Sequence, residues 1–347
     1  SALLHSATMV KAGVYIIIRL APQLSVTYLG NVVVLVGAIT FMVGSLIAIT
    51  KSDAKEILAY STISNLGLIV TCAAVGNQEA LWAAILLLIF HAVSKSLLFL
   101  AVGSTEHRLG SRNVEDMCVM FGVSRSLSLY MLIGIAGMFL APFGMLISKW
   151  AAMKAFIDSN NILIVMILVY GSAATLFYWT KWMGKLISNV NSKVRYKHTK
   201  IWTEEIPLMV LAFLTSLSCM FFPYISKYVI SPYIFGVYGY ETSMPIVLGD
   251  VKLMLLMLSL FIILPLSFLP IYKNDHRRIV PIYMGGRNLG DNESFTGSMG
   301  KTMEFQRKNW YMTSFFSADK LTKWANILSS AAIAAGLFIV IWGVIGR

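Results

Sequence analysis

The stretch Glu79–Gly103, EALWAAILLLIFHAVSKSLLFLAVG, carries His91 and Lys95 in the middle of an otherwise apolar run. A helix that crosses a bilayer needs ~20 mainly apolar residues, and this run supplies them. Four residues apart, the two side chains stand about 40° apart on one face and roughly 6 Å apart along the axis. A lysine at mid-bilayer costs on the order of 2.5–3.5 kcal/mol on insertion scales. A leucine at that position would avoid the cost. Lysines near a helix end escape it by snorkelling, but Lys95 lies roughly eight residues from the nearer end, too deep for that. The pair points to a protonatable relay inside the membrane.

The rest of the chain is of the same kind. At 57% hydrophobic and 13% charged residues, with a mean hydropathy of +0.74, it lies outside the range of soluble globular domains. The apolar runs are continuous rather than alternating, which selects helices over a barrel. The expected fold is all-α, a polytopic transmembrane helix bundle. About nine spans can be drawn, near 2–20, 29–50, 55–76, 79–103, 124–157, 160–180, 206–229, 246–270 and 324–346. The fifth is too long for one straight crossing and holds Gly134, Gly137, Pro142 and Gly144. Proline removes a helical hydrogen bond, so this span reads as one discontinuous helix.

Charge supports the count. The loops on one side hold Lys51, Lys55, Arg108, Arg112, Arg125, the basic loop from Lys181 to Lys200 and the loop from Lys273 to Lys323, about 20 of the 28 Lys and Arg residues. That side is expected to be cytoplasmic, with Ser1 toward it and Arg347 outside. The net charge of +12 then reflects loop bias rather than nucleic-acid binding. Cys72, Cys118 and Cys219 are too scattered for a disulfide framework or a metal site.

The first span, SALLHSATMVKAGVYIIIRL, adds His5 and Lys11. Six residues apart, they lie about 120° apart around a helix and about 9 Å along it, neighbouring points on a hydrated path rather than one narrow face. His5 reads equally as a core histidine bonded to a carbonyl. In the third span, Ser52 or Asp53 suits an N-cap with Glu56 beside it, and Lys55 is positional. The polar run Ser61, Thr62, Ser64 and Asn65 fits either a water-filled path or small-residue glue between helices. Lys149 follows the break in the fifth span, where ion sites gather in membrane proteins.

The segment 181–205 reads as a cytoplasmic anchor. The loop near 271–323 contains GSMGKT, but a phosphate loop needs Gly where Phe295 stands, and no strand is expected before it. The part KTMEFQRKNWYMTSFF (301–316) suits a short helix on the membrane interface or against a partner subunit. The last span is framed by Trp324 and Trp342, which read as interface anchors. No catalytic triad, dinucleotide fingerprint, haem motif or carboxylate pair appears. Intramembrane acids are too few for a calcium- or sodium-type cage. The chain opens without Met directly into an apolar run, so it is expected to be the back part of a longer protein.

The motifs HSATMVKAGVY (5–15), KSDAKEILAYSTISNLG (51–67) and FHAVSKSLLFLAVGS (90–104) resemble the antiporter-like, proton-translocating subunits shared by respiratory complex I, Mrp sodium/proton antiporters and membrane-bound energy-converting hydrogenases. APFGMLISKW (141–150) is similar to the broken helix of the same family. The resemblance implies an inverted-repeat fold with a discontinuous helix and a mid-membrane line of lysines and histidines. On that pattern Lys11 with His5 beside it, the pair His91 and Lys95, and Lys149 near the outer exit form the proton relay. The implied divisions are 1–20 as the end of a first repeat, 21–183 as the second repeat, 184–270 as C-terminal helices, 271–323 as a cytoplasmic-side loop and 324–347 as the final span.

The family's glutamate–lysine pair on earlier helices has no counterpart here, which agrees with a front part of about seven helices lying before this stretch. Leu87 stands where the family commonly has a histidine. The interval before the last span leaves room only for a short lateral helix, unlike the outermost subunit of complex I. The loop IYMGGRNLGDNESFTGSMGK (282–301) resembles the tail of the large antiporter-like subunit of an energy-converting [NiFe] hydrogenase. That resemblance implies other membrane subunits, lipid, and peripheral hydrogenase and iron–sulfur subunits as partners. The Fe–S clusters and NiFe centre would then sit in those partners, with no cofactor in this chain. An Mrp-type antiporter subunit is the alternative. A purely structural scaffold is disfavoured by intramembrane Lys11, Lys95 and Lys149.

Overall fold

The computed structural model describes residues 4, 8–25, 27–139, 144–187, 202–239, 252, 256, 259, 263, 287–288, 294–304 and 311–345. Nine helices carry the fold among them: α1 (Met9–Ser25), α2 (Tyr28–Thr50), α3 (Ala54–Ala74), α4 (Gln78–Leu109), α5 (Arg125–Phe139), α6 (Gly144–Asp158), α7 (Ile162–Ile187), α8 (Trp202–Met220) and α9 (Ala318–Ile345). A 3-10 turn, Val114–Val119, and the short helix Met120–Val123 join α4 to α5. Beyond α8 the chain continues as Phe222–Ile225, a π turn Ser226–Ile230, and Ser231–Tyr238.

Seven stretches among the described residues are long and apolar enough to cross a membrane, with Arg125–Asp158 counted as one. Helix α1, at 17 residues, is shorter than a full crossing, and the expected span 246–270 lies outside the described residues apart from Lys252, Leu256, Ser259 and Ile263. In the fifth span Arg125–Phe139 and Gly144–Asp158 are described as helix, and the expected break lies at 140–143, outside the described residues. Pro142 lies among those residues.

Helix α4 is the axis of the bundle. It touches α1, α3, α5, α6 and α8 and buries residues on every side, Leu81, Trp82, Leu86, Phe90, Leu97 and Leu98 among them. A helix that is apolar all round belongs in such a position. Its ends are set locally. The Asn77 side chain accepts from the Glu79 backbone N–H at 2.9 Å, and Gly110 closes it at φ 70°, where a side chain would be strained. By contrast α9 is largely exposed and lies against α2, where Gly336 meets Val32.

Helices α2 and α3 make the closest approach. Gly30, Gly37 and Gly44 recur every seven residues along one stripe of α2. Gly67 of α3 faces that stripe so tightly that an added Cβ would lie 2.7 Å from the Gly37 carbonyl oxygen and 2.7 Å from the Phe41 nitrogen. Without a hydrophobic drive between helices in lipid, such small-residue contacts and inter-helix hydrogen bonds hold the pair. Ser45 and Ser64 bond at 2.6 Å, and Ser64 also donates to the Phe41 carbonyl at 3.0 Å. Ser64 is therefore glue.

The helix ends expected on the basic side do meet. Lys51 pairs with Glu56 at 2.9 Å, Lys55 with Glu106 at 2.6 Å, and Arg112 with Asp53 at 3.3 Å. Lys185 pairs with Glu115. The carboxylate of Glu56 hydrogen-bonds the Lys51 ammonium and holds its pKa above the ordinary value. Arg108 and Glu205 meet at 3.6 Å with both side chains mostly buried. These ends form one ionic face. Exposed pairs of this kind add little stability each, but they tie the ends of α3, α4, α7 and α8 to one plane.

Asp53 is the N-cap of α3, accepting from the backbone N–H of Lys55 at 2.8 Å and of Glu56 at 3.3 Å. Asp53→Ala is expected to lower stability by about 1 kcal/mol, read as a reduced thermal midpoint of the detergent-solubilised complex.

Several boundaries depart from expectation. Helix α7 runs to Ile187, so Lys181 and Lys185 lie within a helix rather than in the loop expected from 181. Arg108 belongs to the last turn of α4, and Arg125 opens α5. The seventh span begins at Trp202 and does not continue unbroken to 229. A three-stranded antiparallel sheet joins Arg287–Asn288, Ser294–Thr296 and Thr302–Glu304. A strand therefore precedes GSMGKT, contrary to expectation. After Lys301 the chain enters another strand, not the helix a phosphate loop requires. Within the expected interfacial helix 301–316, Thr302–Glu304 is strand and only Thr313–Phe316 is helical; residues 305–310 lie outside the described residues. The fragment 302–304 alternates rather than repeating every three or four residues, and it finds a strand partner to pair with.

Candidate functional site

Lys95 is fully enclosed, at 0% exposure. Its Nζ donates to the Leu58 carbonyl at 3.0 Å and to the Ser61 hydroxyl, both on α3, and lies 5.0 Å from the centroid of the Trp179 ring on α7. Ser61 spends its own proton on the Ile57 carbonyl at 2.6 Å, which leaves its oxygen lone pairs for the lysine. None of these partners is a carboxylate. A carbonyl, a hydroxyl and an aromatic face solvate the amine without pinning its charge. The polar run of α3 thus divides between two tasks: Ser64 glues helices, and Ser61 serves Lys95.

His91 stands one turn before Lys95 on α4, also at 0% exposure. Neither ring nitrogen has a hydrogen-bond partner among the described residues. A buried polar group without a partner carries a desolvation cost, so this imidazole is held in its place by the fold rather than by its own bonds. The Lys11 amine reaches the Leu88 carbonyl three residues before it, and Lys95 stands one turn after it on the same helix.

Lys11 comes from α1 and is buried. Its Nζ donates at 3.2 Å to the carbonyl of Leu88, the turn of α4 just before His91. In the described helix it stands in the first turn rather than near the middle of a span. Lys149 comes from α6, in its second described turn, and donates to the Thr175 hydroxyl of α7 at 3.1 Å. Thr175 in turn donates to the Ser172 carbonyl at 2.7 Å, the same pattern as Ser61. His5 lies outside the described residues.

The structure therefore gathers Lys11, His91, Lys95 and Lys149 from α1, α4 and α6 around the middle of α4. Each amine can release or accept a proton, and an imidazole can do both through its two nitrogens. Titratable groups gathered in a low-dielectric interior are coupled, so the protonation of one member changes the cost of protonating the next. That coupling is what a proton relay requires. Among the described residues no group of three or more His, Cys, Asp or Glu side chains could hold a metal ion.

The sequence did not single out the partners of the row. Leu58 acts through its backbone carbonyl, which leaves no residue-type signal. Thr175 and Trp179 belong to an apolar run that gave no reason to select them. The sequence places Lys181 in a loop, and only the length of α7 buries it.

Comparison with known proteins agrees with this architecture. The family described as NADH:quinone oxidoreductase/Mrp antiporter, TM matches residues 1–175. The protein named as antiporter subunit mnhA2 in Staphylococcus aureus (strain MRSA252) is 31% identical over 277 residues, covering 69% of this chain and 33% of its own length. The chain thus spans about a third of the length of the curated relatives it matches. Among solved structures, the Mrp complex from Dietzia sp. DQ12-45-1b superposes with a TM-score of 0.61 at 25% identity, covering 82% of this chain and 32% of that one. The membrane-bound sulfane sulfur reductase, described as an archaeal respiratory membrane complex, superposes with a TM-score of 0.59 at 23% identity, covering 68% and 50%, and shares the fold.

Proposed function

This chain belongs to the NADH:quinone oxidoreductase/Mrp antiporter transmembrane family, and on that premise we propose that it is a proton-translocating subunit of a larger membrane complex, working through a relay of Lys11, His91, Lys95 and Lys149, with His5 as a further member. The observation that carries this reading is the burial of three lysines around one unpartnered histidine, with hydroxyls and carbonyls rather than carboxylates as their hydrogen-bond partners. Such a set lets each amine cycle between charged and neutral as its neighbours change.

The complex we propose is redox-driven, of the energy-converting [NiFe] hydrogenase type. Peripheral hydrogenase and iron–sulfur subunits would sit on the ionic face, which would be the cytoplasmic side of a prokaryotic cell membrane. All redox centres would lie in those partners. The chemistry of this chain is then proton movement alone, with sodium coupling as a variant. The likeness of the 282–301 loop to hydrogenase subunits supports this choice. A second reading, an Mrp-type antiporter subunit driven by an ion gradient, is supported by the relatives named as antiporter subunits and by the Mrp structure.

Two measurements test these statements. Lys149→Ala in the complex reconstituted into vesicles is expected to lose driven proton transport, seen as loss of a pH-sensitive fluorescence quench; retained transport would remove Lys149 from the relay. Mass spectrometry of the subunits that co-purify in mild detergent separates the complexes. A [NiFe] large subunit with an iron–sulfur protein supports the hydrogenase reading, and small membrane subunits alone support the antiporter.

A further inference from the structure

The two described halves of the fifth span rest on the residues of α4 that stand directly before His91 and Lys95. Gly144, the first residue of α6, lies on the ring of Phe90, and a Cβ built there would overlap the Cδ2, Cε2 and Cζ atoms of that ring. Gly137, near the end of α5, lies on Ser94, and a Cβ built there would stand 2.6 Å from the Ser94 Oγ. Phe90 and Ser94 are both buried, and at a spacing of four they share one face of α4.

Helix α8 closes the other side with the same spacing. The Cγ2 of Thr215 lies 3.0 Å from the Gly137 Cβ position, and the Cys219 Sγ accepts from the Gly144 backbone N–H at 3.2 Å. The Cys219 thiol itself donates to the Thr215 carbonyl at 3.1 Å. Gly137 and Gly144 are thus held between one face of α4 and one face of α8. The hold at Gly144 is unequal. On the α8 side it is a thiol sulfur, a weak acceptor; on the α4 side it is a buried ring with no space left. Phe90 therefore decides where α6 begins against α4. Lys149 lies five residues further along α6, so its place relative to α4 follows from that contact. His91 comes directly after Phe90 and has no hydrogen bond of its own among the described residues, so the seating of Phe90 also fixes the backbone that carries the imidazole.

We propose that Phe90 is a positioning residue for the relay: its ring, seated against Gly144, sets the separation between Lys149 on α6 and the His91–Lys95 pair on α4. The proposal rests on the relay reading and adds what holds its members in register. Transfer between positioned groups is sensitive to small displacements, and a shift of about 1 Å can cost on the order of a hundredfold in rate. The competing role for Phe90 is packing alone. In that case changes at Phe90 or Gly144 alter how much complex assembles, and the assembled complex transports as before.

The test uses the full complex in vesicles and reads driven proton transport per assembled complex, together with its pH profile. The titratable side chains that the packed helices bring to this level are His91 and Lys95 of α4, Lys11 of α1, Tyr178 of α7 and Cys219 of α8. Within one turn of Gly137, Thr175, Thr215 and Cys219 the chain carries no charged residue. Gly144→Ala, which drives a methyl group into the Phe90 ring, is expected to transport about tenfold more slowly or worse, with a displaced pH profile. Phe90→Leu, which removes the ring, is expected to displace the profile as well. The double variant Gly144→Ala/Phe90→Leu, in which the methyl group finds room, is expected to regain transport and the wild-type profile. Wild-type rate and profile in either assembled single variant, while Lys149→Ala is inactive, overturn the positioning role and leave the relay standing. A double variant as slow as Gly144→Ala also overturns it, because the Phe90 contact is then not the cause. Normal transport by Lys149→Ala overturns the place of Lys149 in the relay and this proposal together. If Gly144→Ala prevents assembly, Phe90→Leu decides by the same two readings.

Discussion

Lys95→Ala is expected to abolish driven proton transport while leaving the complex assembled. Two opposing terms set the second half of that statement. Truncating a fully buried long side chain leaves a cavity and costs about 2–5 kcal/mol. Removing a mid-bilayer ammonium returns on the order of 2.5–3.5 kcal/mol of insertion cost. The sum is small, and no donor is orphaned, because the Ser61 hydroxyl keeps its bond to the Ile57 carbonyl at 2.6 Å. The first half follows from position. Lys95 is one turn from His91 on α4 and is held by neutral partners on α3 and α7, so no neighbouring amine replaces it. Subunit composition on a native gel and proton uptake by the same vesicles check both halves. An assembled Lys95→Ala complex that pumps at the wild-type rate would end the relay reading.

Gly67→Leu is expected to prevent assembly altogether. The first side-chain atom would lie 2.7 Å from the Gly37 carbonyl oxygen and 2.7 Å from the Phe41 nitrogen, with Thr40 at 3.0 Å. Two of these obstacles are backbone, which cannot rotate away. Overpacking a core that can adjust costs about 1–3 kcal/mol; here α2 and α3 would have to separate along the Gly30–Gly37–Gly44 stripe, breaking the Ser45–Ser64 contact with it. Ser61 rides on α3, so the seat of Lys95 would move as well. Gly103→Ala is the matched control, since nothing lies within 4 Å of a Cβ built there. In a helix interior that change gains about 0.5–1 kcal/mol. The amount of folded complex recovered from membranes, measured by fluorescence-detected size exclusion, is expected to collapse for Gly67→Leu and to hold for Gly103→Ala. Normal recovery of Gly67→Leu would mean that the two helices do not meet at this crossing.

Much of this protein is determined by local chemistry and so is legible in the chain. Continuous apolar runs dictate helices, because a backbone in hydrocarbon must satisfy its own hydrogen bonds. Asp53 and Glu56 mark the start of α3 in the sequence as they do in the structure. Lys11, His91, Lys95 and Lys149 stand out because charge inside an apolar run is costly. The alternation of basic loops foretells that Lys55, Arg112 and Lys185 share one face. Tertiary structure decides what a residue touches, and residue type does not encode that. Ser61 and Ser64 are the same amino acid on the same helix, yet one meets Lys95 and the other meets Ser45, because they point about 60° apart toward different neighbours. Lys181 looks like any loop lysine until α7 carries it past the expected helix end to the Ile49 carbonyl. The acceptors of Lys11, Lys95 and Lys181 are backbone carbonyls at Leu88, Leu58 and Ile49. Every residue has such a group, and only the crossing of helices selects which one a lysine meets.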